Sequence, residues 1–187
     1  MRVEFLLEEP SMANFLEIVL PRILPTGFAL NENCFLRPHN GKSDLQRSIP
    51  RKVRAFSNFH ESTKIVVVHD QDSNDCVTLK NTLRDLCERS GQCPVLIRIA
   101  CRELEAWYLG DMDAIECAYP VFKAAQYRNR AKFRNPDSCS PSDELLKTIP
   151  EFKKGTASRT IPRFMVVERN SSRSFTHFMN GLRNFLS

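Results

Sequence analysis

Five carboxylates stand where chemistry is easily built: Glu8, Asp70, Asp72, Glu103 and Glu105. Each follows a short apolar run. Val3–Leu7 leads into Glu8-Glu9-Pro10-Ser11, Lys64–His69 into Asp70-Gln71-Asp72, and Pro94–Ala100 into the segment with Glu103 and Glu105. In an extended chain, residues two apart face the same way, so Asp70 and Asp72 are expected to point together. Two like charges about 4 Å apart repel by roughly 4 kcal/mol at an effective dielectric near 20. A bound cation or a raised pKa relieves that cost. All-oxygen ligands suit Mg²⁺ or Mn²⁺ rather than zinc, and a hard cation held this way usually works on phosphates. The bland alternatives are a solvated turn for Asp70-Gln71-Asp72, a surface acid for Glu8, and a solvated helix start for Glu103 and Glu105. Asp75 can cap the following helix by itself, which frees Asp70 and Asp72 for the metal reading.

These acids need strands to position them, and the chain supplies an alternating order. Val3–Leu7 reads as a strand. Phe15, Val19 and Ile23 mark an amphipathic helix that bends or ends near Pro21. Phe28–Leu36 is an expected second strand. Leu45, Ile49, Val53 and Phe56 mark a helix expected to break at Pro50. Lys64–His69 is β-branched and nearly continuous, as suits a strand buried on both faces. Leu79, Leu83, Leu86 and Cys87 form the next helical face, Pro94–Ala100 another strand, and Glu103–Leu109 a helix in which Trp107 and Tyr108 are core anchors. The order argues an α/β domain with a mostly parallel sheet over residues 1–119. Ligands bind at the carboxyl ends of strands in such sheets, which is where the acids fall.

Residues 120–187 read differently. They hold 13 basic and 5 acidic side chains, against 14 and 17 in residues 1–119, so the net +5 of the whole chain hides two opposite regions. The expectation is a basic loop and helical C-terminal extension packed on the core. It has a short helix at Asp143–Ile149, a basic loop over residues 150–160, and a final amphipathic helix through Phe175, Phe178, Met179 and Leu182. Lys123, Arg128, Arg130, Lys132, Arg134, Lys153 and Lys154 would then carry backbone contacts to a nucleic acid. Phe122, Tyr127 and Phe133, interleaved with them, are compatible with stacking on single strands.

Other classes fall away. No apolar run approaches the roughly 18 residues of a membrane span. The opening Met1-Arg2-Val3-Glu4 lacks a signal-peptide pattern, and seven cysteines without a C-x-x-C spacing read as reduced thiols, so a cytoplasmic setting is expected. An EF-hand fails because Asp75 and Asn81 replace its glycine and final glutamate. Gly41-Lys42-Ser43 fits the end of a Walker A loop, but Leu36 occupies its first glycine position.

The strand ending in Glu8, followed by a helix and then Val66-Val67-Val68-His69-Asp70-Gln71-Asp72, resembles the Toprim pattern of topoisomerases, primases and overcoming-lysogenisation-defect nucleases. Glu8 takes the place of the Toprim glutamate, and Asp70 and Asp72 of its aspartates. Glu9 stands where that pattern has glycine. Over nearly its whole length the chain resembles the domain of unknown function 4276 family. The shared pieces are Glu8-Glu9-Pro10-Ser11, Gly41-Lys42-Ser43-Asp44-Leu45, His69-Asp70-Gln71-Asp72, Glu103-Leu104-Glu105-Ala106-Trp107-Tyr108 and Arg169-Asn170-Ser171-Ser172-Arg173-Ser174-Phe175. The resemblance implies a Toprim/Rossmann-like fold and a role in anti-phage defence beside an ATPase partner.

The expected activity is metal-dependent hydrolysis of phosphodiester bonds in DNA or RNA. Glu8, Asp70, Asp72 and Glu105 are the expected Mg²⁺ or Mn²⁺ ligands, with Glu103 or Glu105 for a second ion or a general base. Lys42 and Arg173 are expected to steady the phosphate. Arg169, Arg130, Lys132 and Arg134 are expected along the substrate. A second copy of the chain is a further expected partner. The competing expectation is a non-catalytic module that docks on a partner or on nucleic acid.

Overall fold

The computed structural model describes residues 1–187. Its four strands, β1 (Arg2–Leu7), β2 (Cys34–Pro38), β3 (Thr63–Asp70) and β4 (Val95–Ala100), form one sheet in the order β2-β1-β3-β4, and every pair is parallel. Nine α-helices flank it: α1 (Pro10–Val19), α2 (Lys42–Ser57), α3 (Cys76–Glu88), α4 (Glu105–Leu109), α5 (Met112–Ala118), α6 (Ala124–Tyr127), α7 (Pro141–Thr148), α8 (Lys154–Thr160) and α9 (Arg173–Leu186). The strand order reverses between β1 and β3, which opens a crevice at their carboxyl ends. Glu8 follows β1 directly and Asp70 ends β3.

Side-chain alternation along the strands divides the core. Leu6, Ile65, Val67, Ile97 and Ile99 pack on α2 and α3 through Leu45, Ile49, Val53, Leu79 and Leu83. Val3, Phe5, Leu7, Val66, Val68 and Ala100 pack on the opposite layer. There Trp107 sits among Phe15, Phe175 and Phe178 with ring centroids 5.2–5.4 Å away. Each such side chain contributes roughly 1.5–3 kcal/mol on burial. Phe122, Phe133, Ile149, Phe152, Met165 and Val167 belong to that same layer. The last third of the chain is thus built into the core.

Several local expectations change. Phe28–Leu36 is mostly a turn, and β2 starts only at Cys34. Gly27 and Asn31 have positive φ, and the Asn33 side chain bridges Ala29 N and Gly27 O, so turn chemistry overrides the apolar residues. Pro50 lies inside an unbroken α2. Its buried neighbours Ser48, Ile49 and Val53 hold the helix despite the lost donor. The segment expected as a basic loop is α8, whose small face, Ala157 and Ser158, packs on α1 with Asn14 Nδ2 donating to Ser158 Oγ at 3.1 Å. No helix is long and apolar enough to cross a membrane.

Candidate active site

β1 and β3 bring Glu8 and Asp70 to the same end of the sheet by parallel pairing, Leu7 lying opposite Val68. Glu8 is held firmly. Its Oε2 accepts from the Asp70 backbone N–H at 2.8 Å and lies 2.7 Å from His69 Nδ1. That ring nitrogen also faces the Asp70 carbonyl at 2.6 Å, so its hydrogen sits between two acceptors. The Gln46 side-chain nitrogen on α2 stands 3.3 Å from the other ring nitrogen. Burial works against a charged His69, but the hydrogen bond and charge of Glu8 outweigh it and raise the imidazole pKa. His69 carries no role in the sequence reading. Its neighbouring apolar run makes it look like one more strand residue.

Asp70 is the outlier. Its Oδ1 is sealed from solvent and accepts no hydrogen bond. Burial pushes its carboxyl well above the ordinary carboxylate range, and the charges of Glu8, Glu105 and Glu9 push it further. An unpaired buried acceptor of this kind is costly in a native structure. The Tyr108 hydroxyl, fully buried on α4, also lacks a partner and feels the charges of Glu105 and Asp70.

Glu105 is 2% exposed at the start of α4. Burial raises its pKa to about 7, against the pull of Lys154, whose Nζ lies 3.6 Å away. The same ammonium pairs with Glu103 Oε2 at 2.8 Å. Glu103 Oε1 accepts from Ser142 N in the first turn of α7 at 2.8 Å. Burial alone would raise Glu103, but Lys154 and Ser142 together lower it. Both oxygens of Glu103 are thus committed to holding α7 and α8 against the sheet end, which marks it as a positioning residue.

The structure does not bring Asp72 alongside Asp70. β3 ends at Asp70, and Asp72 adopts φ +52° with its N–H on the Arg102 carbonyl at 2.7 Å. The alternation of an extended strand therefore stops one residue too early. The Asp72 side chain is 44% exposed and pairs with Lys42 at 3.8 Å. As the side chains stand, no three His, Cys, Asp or Glu groups converge on one point within reach of an ion. The donors that do fit a hard cation are the sealed Asp70 Oδ1 and the carboxylate of Glu8, with Glu105 nearby.

The basic residues separate into those with partners and those without. Arg169 bonds Asp111 Oδ1 at 2.7 Å, and Asp111 also accepts from Val166 N, so this arginine ties the chain after α8 to α5. Lys132 pairs with Glu144, and Arg128 with Asp113. Arg130 donates to Gln126 O and lies 4.7 Å over the Tyr127 ring. Phe122 and Phe133 are buried and pack on that same Tyr127, so these aromatics are core and offer no face to a base. Arg134 and Arg173 are exposed and make no ion pair. Arg173 lies at the first position of α9, in a groove beside β4.

The run from Asn170 to Ser174 is a clamp. Asn170 Nδ2 donates to Trp107 O, Trp107 Nε1 donates to Ser174 Oγ, and Ser172 and Ser174 both donate to Asp137 Oδ1 at 2.8 Å. Gly110 lies so close to the Asn170 side chain that a Cβ there would meet its Oδ1 at 2.0 Å. This clamp seats α9 on α4, the helix that carries Glu105 and Tyr108.

No curated protein and no solved structure matches the chain. A family model does, over residues 7–183, which takes in Glu8, the end of β3, α4 and the clamp. The chain therefore belongs to the domain of unknown function family DUF4276.

Proposed function

We propose that the protein is a metal-dependent nuclease of Toprim-like type that hydrolyses phosphodiester bonds in DNA or RNA. The observation that carries this reading is Asp70 Oδ1, buried and unpartnered at the strand-reversal crevice, with the charges of Glu8 and Glu105 upon it. A divalent cation would remove both costs at once. When bound, Mg²⁺ or Mn²⁺ supplies an activated water and neutralises charge developing on phosphorus.

The chain's own groups have distinct parts in this proposal. Asp70 and Glu8 would hold the ion, and His69 fixes the rotamer of Glu8 through Nδ1. Glu105, poised at about 7, can take or give a proton near neutral pH. Lys42, exposed at the start of α2, is available to a phosphate once released from Asp72. The defence setting and ATPase partner belong to the same proposal through the family resemblance alone, and the cytoplasmic location through the reduced cysteines and the lack of a signal-peptide pattern.

The test is cleavage of single-stranded DNA, duplex DNA and tRNA by the purified chain with Mg²⁺ or Mn²⁺, alongside Asp70→Ala. Cleavage by the wild type that is lost in the variant, with unchanged circular dichroism, is the expected result. Equal cleavage by the folded variant would sink the reading.

A second reading, a non-catalytic module docking on a partner or nucleic acid, is favoured by the outward turn of Asp72 and by the neutralisation of Glu103 by Lys154. It expects salt-sensitive binding without turnover, unaffected by Asp70→Ala.

A further inference from the structure

β4 is an edge strand, paired on one side only. Its bonds to β3 use Pro94 O and Ala100 O, which turns the main-chain groups of Val95, Ile97 and Ile99 outward. No other main chain takes them. An open edge of this kind is a template for another extended chain, and proteins normally cover or blunt it. Here it is the floor of a continuous groove between α3 and α9. Two cavities of about 470 and 620 Å³ meet there, sharing Lys80, Ile97 and Arg98 in their walls.

The groove is basic. Lys80, Arg84, Arg98 and Arg173 line it, and none of the four pairs with an acid. Two acids also line it: Asp137, at one end, is saturated by Ser172 and Ser174, and Glu88 on α3 leaves the cations in excess by four to two. Arg98 lies across the edge itself. Its Nη1 donates to Ile97 O at 2.9 Å and its Nε to His177 O at 3.0 Å, and Gly181 on α9 leaves the room that its guanidinium fills. One edge carbonyl is thus held by a charged donor that could equally serve an incoming carboxylate.

We propose that this groove receives an acidic, extended segment of a partner protein, which adds to β4 as a fifth strand. The outward amides of Ile97 and Ile99 match the spacing of a peptide main chain. The unpaired cations select an acidic one. No Phe, Tyr or Trp lines either cavity, so a single-stranded nucleic acid would find only the His177 ring to stack on. A second copy of the chain would set four cations against four. This docking surface stands apart from the acids at the strand ends and does not depend on the nuclease reading.

The experiment uses the full chain and a fluorescent peptide of alternating valine and glutamate, followed by anisotropy. Saturable binding is expected, at least about tenfold weaker in the Lys80→Glu/Arg84→Glu double variant and weaker again at high salt. N-methylation of the peptide amides that face β4 should abolish it, and the peptide should slow hydrogen exchange at the Ile97 and Ile99 amides. Four outcomes would overturn the proposal: no binding of the acidic peptide, binding indifferent to N-methylation, an oligothymidylate that occupies the groove instead, or a dimer of the chain dissolved by the charge reversals.

Discussion

β1 carries two buried acids with opposite fates. Glu4, within the strand, is fully buried, yet both its oxygens are answered: Arg2 Nε at 2.7 Å and Arg37 Nε at 2.8 Å. The two guanidiniums in turn lie over Phe35. Glu8, just beyond the same strand, has only a histidine and a backbone N–H on one oxygen, and it faces Asp70. Burial of charge is thus made safe in the middle of the sheet and left unresolved at its carboxyl end. Strain left standing in a fold is a pointer to function, because packing alone gives no reason to keep it.

The largest effect that would break this comparison is at Glu4. Glu4→Ala is expected to lower stability by roughly 3 kcal/mol, read by urea unfolding, since it strands two arginines and removes charge-assisted hydrogen bonds. A loss below about 1 kcal/mol would mean that Glu4 is no better satisfied than Asp70.

Glu105 gives an effect of similar size that depends on pH. Its folded pKa of about 7 lies above the ordinary carboxylate value, so between about 4.5 and 7 the folded state holds more protons than the unfolded. Stability from this group is full below that window and falls as pH rises through it, by on the order of 3 kcal/mol at most. Glu105→Gln should flatten the fall in melting temperature between pH 5 and 8 relative to wild type. An unchanged slope would show that Lys154 already neutralises Glu105.

Asp70→Asn should do the reverse of Glu4→Ala. Removing a charge that faces other acids is expected to stabilise the fold by about 1 kcal/mol. Mg²⁺ or Mn²⁺ should stabilise the wild type, by about 1.4 kcal/mol at ten times the dissociation constant and read as a higher melting temperature, and leave the variant unmoved. Destabilisation by Asp70→Asn without a metal response would make this acid structural after all.

The smallest effect is at Lys42. Its pair with Asp72 is exposed on both sides, so Lys42→Ala should change stability by less than about 0.5 kcal/mol. Under the nuclease reading the same variant slows cleavage, and the two measurements separate a surface pair from a phosphate contact.

Much of the scaffold was legible residue by residue. Lys64–His69 reads as a buried strand because β-branched side chains fill both faces. Asp75 caps α3 as its position suggests, accepting from Thr78 N at 2.8 Å. The resemblance to the domain of unknown function 4276 family also holds, across almost the whole chain. Apart from Phe28–Leu36 and Pro50, whose causes are local, the misses share one cause. α8 carries its buried face in Ala157 and Ser158, residues too small to register as a hydrophobic stripe until α1 is seen beside them. Asp72 turns outward because its N–H meets the carbonyl of Arg102, and Arg169, half-exposed, is engaged by Asp111. Neither partner is near in sequence.

By itself, then, the sequence determined the alternating elements, the parallel sheet and the placing of acids at strand ends, since these follow from periodicity and propensity over a few residues. Only the tertiary structure decided which charges are answered. It gave Glu4 two arginines, Glu103 a lysine and a helix end, and the Asp70 carboxyl chiefly the charges of other acids, with only the Leu104 backbone against them. The physical reason is range: backbone preference acts between neighbours in the chain, whereas a buried charge is settled by whatever packing brings within a few ångströms of it.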